Sequence, residues 1–356
     1  MLFQRSKGLV GLDVGSSAVK GVELKDLGKG RGYQLVSLGI EALPPEAIVD
    51  GAIMDAGLVS EAIHKLFARC KFKAAEVAIS LSGHSVIIKK ISLPVMSADE
   101  LAESIQWEAE QYIPFDMDDV NIDYQILGGS SSSGDANMDV LLVAVKKEKI
   151  NDYTGVVTQA GKTPVLVDVD VFALQNAFEV SYETPPANVV ALINLGASVT
   201  NISVLLRGNP IFWRDISIGG NRYTEAIQRE LNLPQDQAEA LKRGDGADGV
   251  PSDSVQPILA GVHEEVGNEI QKTLDFFKAT TSGEPVQHLV LSGGCSQITG
   301  LLDYMSDRFQ TPVEMFNPLR RLADRDRVLA SVGGEEAAPS MAIAVGLAMR
   351  KVGDKE

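Results

Sequence analysis

The stretch from Leu9 to Leu24, LVGLDVGSSAVKGVEL, gathers the residue types that a phosphate site uses. An apolar run ends near an aspartate, turns through a glycine and two serines, and continues as a second apolar run with one lysine. The candidate phosphate-binding residues are Asp13, Gly15, Ser16, Ser17 and Lys20. Successive N–H groups in a tight turn bind anions, and a lysine adds a positive charge for a β- or γ-phosphate. The same letters also fit a plain β-hairpin, in which the glycine and the aspartate only form the turn.

A second stretch, Ala191 to Leu205, repeats this pattern 181 positions later, close to half the chain. Its sequence is ALINLGASVTNISVL, and Asn194 takes the place of Asp13. The matching candidates are Asn194, Gly196, Ala197, Ser198 and Thr200. Because internal repeats indicate a duplicated architecture, we expect two hairpin turns that face each other and hold one phosphate chain from both sides. The alternative is that two unrelated apolar hairpins look partly alike.

Three further segments of the second half carry ligand-binding patterns. The strand-like HLVLS is followed by Gly-Gly-Cys, and glycines at the carboxyl end of a strand let a flat ligand approach the backbone. A Gly-Gly-Asn sequence precedes an amphipathic helix, whose N-terminus favours anions. A glutamate and a lysine three residues apart share one helix face, which fits a surface ion pair equally well. The candidates are Gly219, Gly220, Asn221, Glu239, Lys242, Gly293, Gly294 and Cys295.

Together these motifs resemble the actin-like ATPase superfamily, which includes actin, the heat-shock chaperone ATPases, sugar kinases and the division protein FtsA. By this resemblance the two turns are the first and second phosphate loops, and the glycines after HLVLS are the adenosine loop. Glu239 and Lys242 match the A-E-x-x-K pair that contacts the nucleoside in bacterial members. The resemblance implies an α/β fold of two duplicated, ribonuclease-H-like domains, with ATP or ADP and Mg²⁺ in the cleft between them.

The segment 84–161 makes the resemblance more specific. Ser97 and Glu100 form a capping box, which predicts a helix with a buried stripe that ends by Pro114. Two strands then flank a glycine- and serine-rich tip, GGSSSSGDAN, which we expect to be mobile. An α+β module at this place is similar to those of FtsA and of the PilM family of type IV pilus assembly proteins. The segments GLVGLDVGSSAVKGVELK, WEAEQYIPF and VDVDVFALQNAF most resemble the PilM family.

The PilM resemblance implies a division into four subdomains. These are 1A (1–83, 162–185 and 340–352), 1C of the FtsA type (84–161), 2A (186–230 and 264–339) and 2B (231–263). It implies an ATP-binding assembly protein of the type IV pilus inner-membrane platform. The main partner would be the N-terminal cytoplasmic tail of PilN, held in a groove between 1A and 1C. Other pilus inner-membrane and motor components are further expected partners, and self-association is left open.

The acidic residues decide what is expected of turnover. Asp13 is expected to hold Mg²⁺ through water, because Mg²⁺ usually keeps several waters. Hydrolysing members of the superfamily usually carry an aspartate in the second phosphate loop as well, where this chain has the neutral Asn194. Asp168 and Asp170 are weak catalytic candidates, since VDVDV also fits an alternating strand. Because phosphoryl transfer depends on positioning and charge neutralisation, we expect slow hydrolysis or none.

Composition limits the location and the function class. The 356-residue chain has a net charge of -16, which argues against non-specific binding of nucleic acid. Cys70 and Cys295 form no disulfide framework, and neither a signal peptide nor a membrane-spanning run is expected. The apolar segment SMAIAVGLAMR predicts a core helix rather than a membrane-lying one. We therefore expect a cytoplasmic protein that is peripheral to the inner membrane through its partners. An FtsA-like division filament and, less favoured, a sugar kinase are the alternatives.

Overall fold

The computed structural model describes residues 8–129, 137–183, 185–247, 249–281, 284–330 and 334–353. The first half is built around a five-stranded sheet. It begins with β1 (Val10–Val14), β2 (Ala18–Asp26), β3 (Tyr33–Ala42), a small hairpin of β4 (Ile48–Val49) and β5 (Ala52–Ile53), α1 (Ala56–Cys70) and β6 (Glu76–Leu81). An inserted unit follows, made of β7 (Val86–Pro94), α2 (Ala98–Glu110), β8 (Val120–Gly129) and β9 (Asn137–Lys146). The first half ends with α3 (Lys147–Gln159), β10 (Thr163–Val169) and α4 (Asp170–Ser181).

The second half is built around another five-stranded sheet. Its elements are β11 (Val189–Leu195), β12 (Thr200–Leu206), β13 (Asn209–Ile216), α5 (Gly220–Leu231), α6 (Gln235–Arg243), α7 (Gln256–Thr280), β14 (His288–Ser292), α8 (Leu301–Phe309), β15 (Val313–Met315), α9 (Arg325–Leu329) and α10 (Ala342–Ala348). Short 3₁₀ turns lie at Met117–Asp119, Ser252–Ser254, Gly294–Gln297 and Glu335–Met341.

The two five-stranded sheets have the same topology. The first runs β3-β2-β1-β6-β10 and the second β13-β12-β11-β14-β15. In each sheet the first three strands are antiparallel and the last two are added in parallel. The register repeats as well, because Asp13 pairs with Lys20 and Asn194 pairs with Asn201. The duplication predicted from the sequence is confirmed, down to the offset of 181 positions.

Two helices separate the sheets and join them into one core. α10 packs on α4 and β1, and it is buried along its whole length, as predicted for a core helix. The packing requires bare glycines, because a Cβ at Gly346 would collide with the Ala173 carbonyl and one at Gly11 with that of Ala344. One hydrophobic cluster includes Val22 of the first sheet, Leu192 of the second and both helices. This core brings the carboxyl ends of β1 and β11 to a common cleft.

The inserted unit has its own sheet and core. Its sheet runs β7-β9-β8, and α2 covers it through the buried Leu101, Ile105 and Ala109. The capping box is confirmed, since the Ser97 side chain accepts from the Glu100 N–H and the Glu100 carboxylate accepts from the Ser97 N–H. The helix ends at Glu110, before the proline. The tip predicted to be mobile spans residues 128–137. Gly128 and Gly129 end β8 and Asn137 begins β9, whereas residues 130–136 lie outside the described residues.

Helix α3 follows the inserted sheet in the chain but packs elsewhere. It contacts α1 and β10 of the first sheet. Its buried Tyr153, Val156 and Val157 belong to the hydrophobic cluster that holds β1, α1 and β6 together. The chain therefore re-enters the first domain near Lys146. Among the described residues, no helix is both long enough and apolar enough to cross a membrane.

Candidate functional site

The first turn lies at the tip of the β1–β2 hairpin. The Gly15 N–H bonds to the Ala18 carbonyl at 3.1 Å, which closes the turn. Among the described residues, no backbone carbonyl accepts from the N–H groups of Ser16 or Ser17. Two adjacent N–H groups without a backbone acceptor at a turn can bind an anion.

Lys20 lies opposite Asp13 on the neighbouring strand. Its Nζ is 2.9 Å from Asp13 Oδ2, and the two side chains are only 17% and 13% exposed. Burial alone would lower the pKa of Lys20, but the charge of Asp13 and the hydrogen bond to it outweigh burial and raise that pKa. Lys20 is therefore an ammonium ion at the base of the turn.

The second turn repeats the first in neutral form. The Gly196 N–H bonds to the Val199 carbonyl at 3.0 Å, and no backbone carbonyl of the described chain accepts from the N–H groups of Ala197 or Ser198. Asn194 Nδ2 donates to Asn201 Oδ1 at 2.9 Å. By the offset of 181, Asn201 corresponds to Lys20. Thr200 is buried, and its hydroxyl donates to the Ile218 carbonyl rather than facing the cleft.

Asp215 on β13 links the Asn194–Asn201 pair to the first domain. Asn201 Nδ2 donates to Asp215 Oδ1 at 2.8 Å, and the Gly83 N–H donates to Asp215 Oδ2 at 2.6 Å. Burial raises the pKa of Asp215, while these two donors oppose the rise. Close by in the chain, two residues after Asp215 and one after Gly83, Ser217 Oγ and His84 Nε2 lie 2.8 Å apart. The second domain is thus bonded to the segment through which the chain enters the inserted unit.

The two turns line one cleft. Its wall combines both hairpin turns with the ends of β6 and the starts of α3 and α4. The residues that the sequence predicted and that line it are Asp13, Gly15, Ser16, Ser17, Lys20, Asp170, Asn194, Gly196, Ala197 and Ser198. The facing arrangement of the two turns puts N–H groups, hydroxyls and an ammonium around one space, which is the chemistry of a polyphosphate site.

The structure separates the two weak catalytic candidates. Asp170 begins α4 and lines the cleft, and it accepts from Ser80 Oγ at 2.6 Å. Burial, followed by the nearby charge of Asp13, raises the pKa of Asp170 to about 6. Asp168 is still within β10; it pairs with Arg350 at 3.5 Å and does not line the cleft. Of the two, only Asp170 is placed where a bound phosphate or water would meet it.

The predicted nucleoside residues form a group next to the second turn. Lys242 is buried; its Nζ donates to Glu239 Oε1 at 2.5 Å and to Thr224 Oγ1 at 2.9 Å. Glycine at 219 is required by close packing, since a Cβ there would lie 2.5 Å from the Gly196 carbonyl oxygen. Asn221 Nδ2 donates to Ser198 Oγ at 3.1 Å, which ties this group to the second turn.

Of the two glycines after β14, Gly293 serves close packing. Gly293 has a φ of +89°, and a Cβ there would collide with the Leu195 backbone. Gly294 has open space around its Cα, and Cys295 is buried against Gly220. None of Gly219, Gly220, Asn221, Glu239, Lys242, Gly293, Gly294 and Cys295 lines the cleft itself.

Sequence reasoning missed several cleft residues. They are Ser80 and Ser82 at the end of β6, Asp50 and Gly51 in the β4–β5 hairpin, Lys149 and Tyr153 on α3, and Asn201 on β12. Asn201 was within reach, because the offset of 181 maps Lys20 onto it. The others lie at separate places along the chain, so no spacing within the sequence connects them.

Comparison with known proteins agrees with this geometry. A family model described as "Type IV pilus assembly protein PilM" matches residues 11–352. The cell division protein FtsA of Pseudomonas aeruginosa is 24% identical over 358 residues, which cover 88% of this chain and 84% of that protein. A solved PilM–PilN type IV pilus biogenesis complex matches with a TM-score of 0.81 and 28% identity, over 98% of this chain and 99% of its own.

A more distant solved structure shows the same fold. MreB5 of Spiroplasma citri, solved with bound ADP, matches with a TM-score of 0.53 and 15% identity, over 96% of this chain and 94% of its own. The expected actin-like, two-domain α/β fold is confirmed by these likenesses and by the repeated topology of the two sheets.

Proposed function

The chain belongs to the PilM family of type IV pilus assembly proteins, and from this premise we propose that it binds an adenine nucleotide in the cleft between its two sheets. The observation that carries the proposal is the pair of facing turns, whose N–H groups at Ser16, Ser17, Ala197 and Ser198 have no backbone acceptor in the described chain. Unbonded N–H groups on a cleft wall are costly unless water or a ligand accepts from them. The two turns accommodate the phosphates, and the group around Glu239 and Lys242 lies on the nucleoside side.

Mg²⁺ fits this cleft through water rather than by direct ligation. Asp13 already gives one carboxylate oxygen to Lys20, so its free oxygen is suited to hold a metal-bound water. Among the described residues, no group of three or more His, Cys, Asp or Glu side chains is arranged to hold a metal ion. When bound with the nucleotide, Mg²⁺ would neutralise phosphate charge. We propose slow hydrolysis or none, since Asn194 supplies no second charge at the turn that faces Asp13.

Titration calorimetry with the full-length chain tests nucleotide binding directly. ATP and ADP, each with Mg²⁺, should bind, and adenosine should bind more weakly because it lacks the phosphates that both turns hold. No heat from ATP or ADP with a folded protein would contradict the proposal.

We further propose that the chain binds the N-terminal cytoplasmic tail of PilN and acts as an assembly protein at the inner-membrane platform. The solved PilM–PilN complex is the relative that supports this. A groove lies where β9 passes into α3, between the inserted sheet and the first domain. Phe115, Asp116 and Asp119 are among its lining residues. Glu148 and two lysines, Lys146 and Lys147, complete the lining, so it carries three acidic and two basic residues. With the chain's net charge of -16, this suits a peptide with basic flanks.

The inserted unit can be removed to test this groove. We propose that subdomain 1C ends near residue 146 rather than 161, because α3 supplies core to the first sheet. Val86 and Val145 are directly opposite each other in the β7–β9 pair, so an Asn-Gly turn can replace residues 87–144. The cleft residues all lie outside this deletion. Residues 147–161 then belong to 1A, and the bounds of 2A and 2B stay as the resemblance implies.

Fluorescence anisotropy with a labelled PilN tail peptide then measures the outcome, after circular dichroism has shown that the deletion variant folds. The deletion variant should no longer bind the peptide and should still bind ATP. Asp116→Lys with Asp119→Lys in the full chain should weaken the peptide, whereas Asp123→Lys on the exposed face of β8 should not. Unchanged peptide affinity in both the deletion variant and the Asp116/Asp119 variant would show that the tail binds at another surface.

An FtsA-like filament is the second candidate function, because the FtsA of Pseudomonas aeruginosa matches 88% of this chain. Filaments that sediment in the presence of ATP, and co-sedimentation with a division-ring partner, would favour this function, and the PilN tail would then not bind. A sugar kinase is the less favoured candidate, and only turnover of a sugar in a phosphorylation screen would restore it.

A further inference from the structure

Lys149 brings a second ammonium group into the cleft. It lies in the first turn of α3 and lines the cleft with the two hairpin turns. Its Nζ donates to the Ser82 carbonyl at 2.9 Å, and it lies 5.4 Å from the centre of the Tyr153 ring. An ammonium group has three N–H donors, and among the described residues the Ser82 carbonyl is the one oxygen that accepts from Lys149, while the Tyr153 ring lies beside it.

The setting of Lys149 differs from that of Lys20. Lys20 has its Asp13 carboxylate at 2.9 Å, whereas no carboxylate of the described chain lies within 4.0 Å of Lys149 Nζ. Burial lowers the pKa of Lys149, and the charges of Asp170 and Asp215 oppose this only from a distance. A partly buried cation without an ion pair is costly, and an anionic ligand would remove that cost.

The position of the group is fixed on both sides. The bond to Ser82 ties α3 to the end of β6, and one turn further along α3 the Tyr153 hydroxyl donates to the Gly51 carbonyl at 3.1 Å. A Cβ built at Gly51 would lie 3.0 Å from Lys149 Nζ, so the ammonium packs closely against the β4–β5 hairpin. Lys149 is held at the cleft wall rather than extended into solvent.

We propose that Lys149 binds a phosphate group of the nucleotide and, with Lys20, makes the cleft selective for nucleoside di- and triphosphates over nucleosides. This rests on the proposed nucleotide binding. An ammonium on α3 adds positive charge beside the two turns, and a hydrogen bond between charged partners is stronger than a neutral one. Adenosine, which carries no phosphate, would gain nothing from it.

The test compares Lys149→Met with a matched control, Lys65→Met. Lys65 is an exposed lysine on α1 that pairs with Glu61 and is not part of the cleft. Calorimetry with Mg-ATP, Mg-ADP and adenosine should give roughly ten- to hundredfold weaker ATP and ADP binding in Lys149→Met, and unchanged adenosine binding. Lys149→Arg, which keeps the charge, should recover part of the loss. Lys65→Met should bind all three as the wild type does.

The outcomes separate the inference from the proposed function. Wild-type protein that binds neither ATP nor ADP would overturn the proposed nucleotide site and this inference with it. Wild type that binds ATP, together with a folded Lys149→Met that binds ATP equally well, would overturn the inference alone. Equal loss of ATP and adenosine with a lowered melting temperature would also overturn it, because that pattern indicates a structural role only.

Discussion

Lys20 Nζ and Asp13 Oδ2 lie 2.9 Å apart at the base of the first turn. At the corresponding place in the second turn, Asn194 Nδ2 and Asn201 Oδ1 also lie 2.9 Å apart. The duplicated hairpins therefore keep one cross-strand contact in two forms, one charged and one neutral. The cleft receives its fixed positive charge from one side and a neutral amide pair from the other.

Replacing Lys20 should weaken nucleotide binding. Lys20→Ala removes a charge-assisted contact to phosphate, which is typically worth about 1.5–3 kcal/mol. Titration calorimetry with Mg-ATP measures the loss, and Lys25→Ala, an exposed lysine of the same strand, is the control. A folded Lys20→Ala variant with wild-type ATP affinity would rule out phosphate binding by the two facing turns.

The contact between Asn194 and Asn201 should accept charged side chains only when both residues are replaced together. Asn194→Asp alone places a carboxylate against Asn201 Oδ1, which is an acceptor, and should cost about 1–3 kcal/mol of unfolding free energy. The double variant Asn194→Asp with Asn201→Lys copies the Asp13–Lys20 pair and should recover most of that cost. Urea unfolding of the two single variants and the double variant gives the coupling energy. Additive losses would mean that the second hairpin cannot hold the charged form of the contact.

The same substitution tests what limits turnover. If the neutral Asn194 is the limit, Asn194→Asp should hydrolyse Mg-ATP faster than the wild type, with a modest gain because Asp170 and its neighbours are unchanged. Phosphate release under saturating ATP measures the rate, and calorimetry checks that the variant still binds the nucleotide. A variant that binds Mg-ATP normally and hydrolyses it no faster would place the limit elsewhere.

Asp170 should make stability depend on pH. Its pKa is about 6 in the folded protein, against the ordinary aspartate value of 3.8 that applies to the unfolded chain, so the folded protein holds this proton more tightly. The associated stabilisation is complete below about pH 4 and is lost as the pH rises through 6, a difference on the order of 3 kcal/mol.

Asp170→Asn should therefore gain unfolding free energy over the wild type at pH 8 and little at pH 4.5. Urea unfolding at the two pH values measures the difference, with the exposed Asp152→Asn on α3 as the control. An equal effect of Asp170→Asn at both pH values would show that its carboxyl does not titrate between them.

The local features of this chain followed from the sequence because their causes are local. The two hairpins, their common offset, the capping box at Ser97 and the buried C-terminal helix depend on turn residues and on the spacing of apolar side chains. The actin-like fold was implied by the resemblance of these motifs to a known superfamily, and the repeated strand order of the two sheets confirms it.

Only the tertiary structure decided which side chains meet in the cleft. The alternation in VDVDV predicts one direction for Asp168 and Asp170, but β10 ends at Val169 and α4 begins at Asp170. The change from strand to helix turns one carboxylate to Arg350 and the other to the cleft. Lys149 and Ser82, and likewise Asp215 and Gly83, meet across long stretches of chain. Such contacts are set by how helices and sheets pack, which spacing along one chain does not encode.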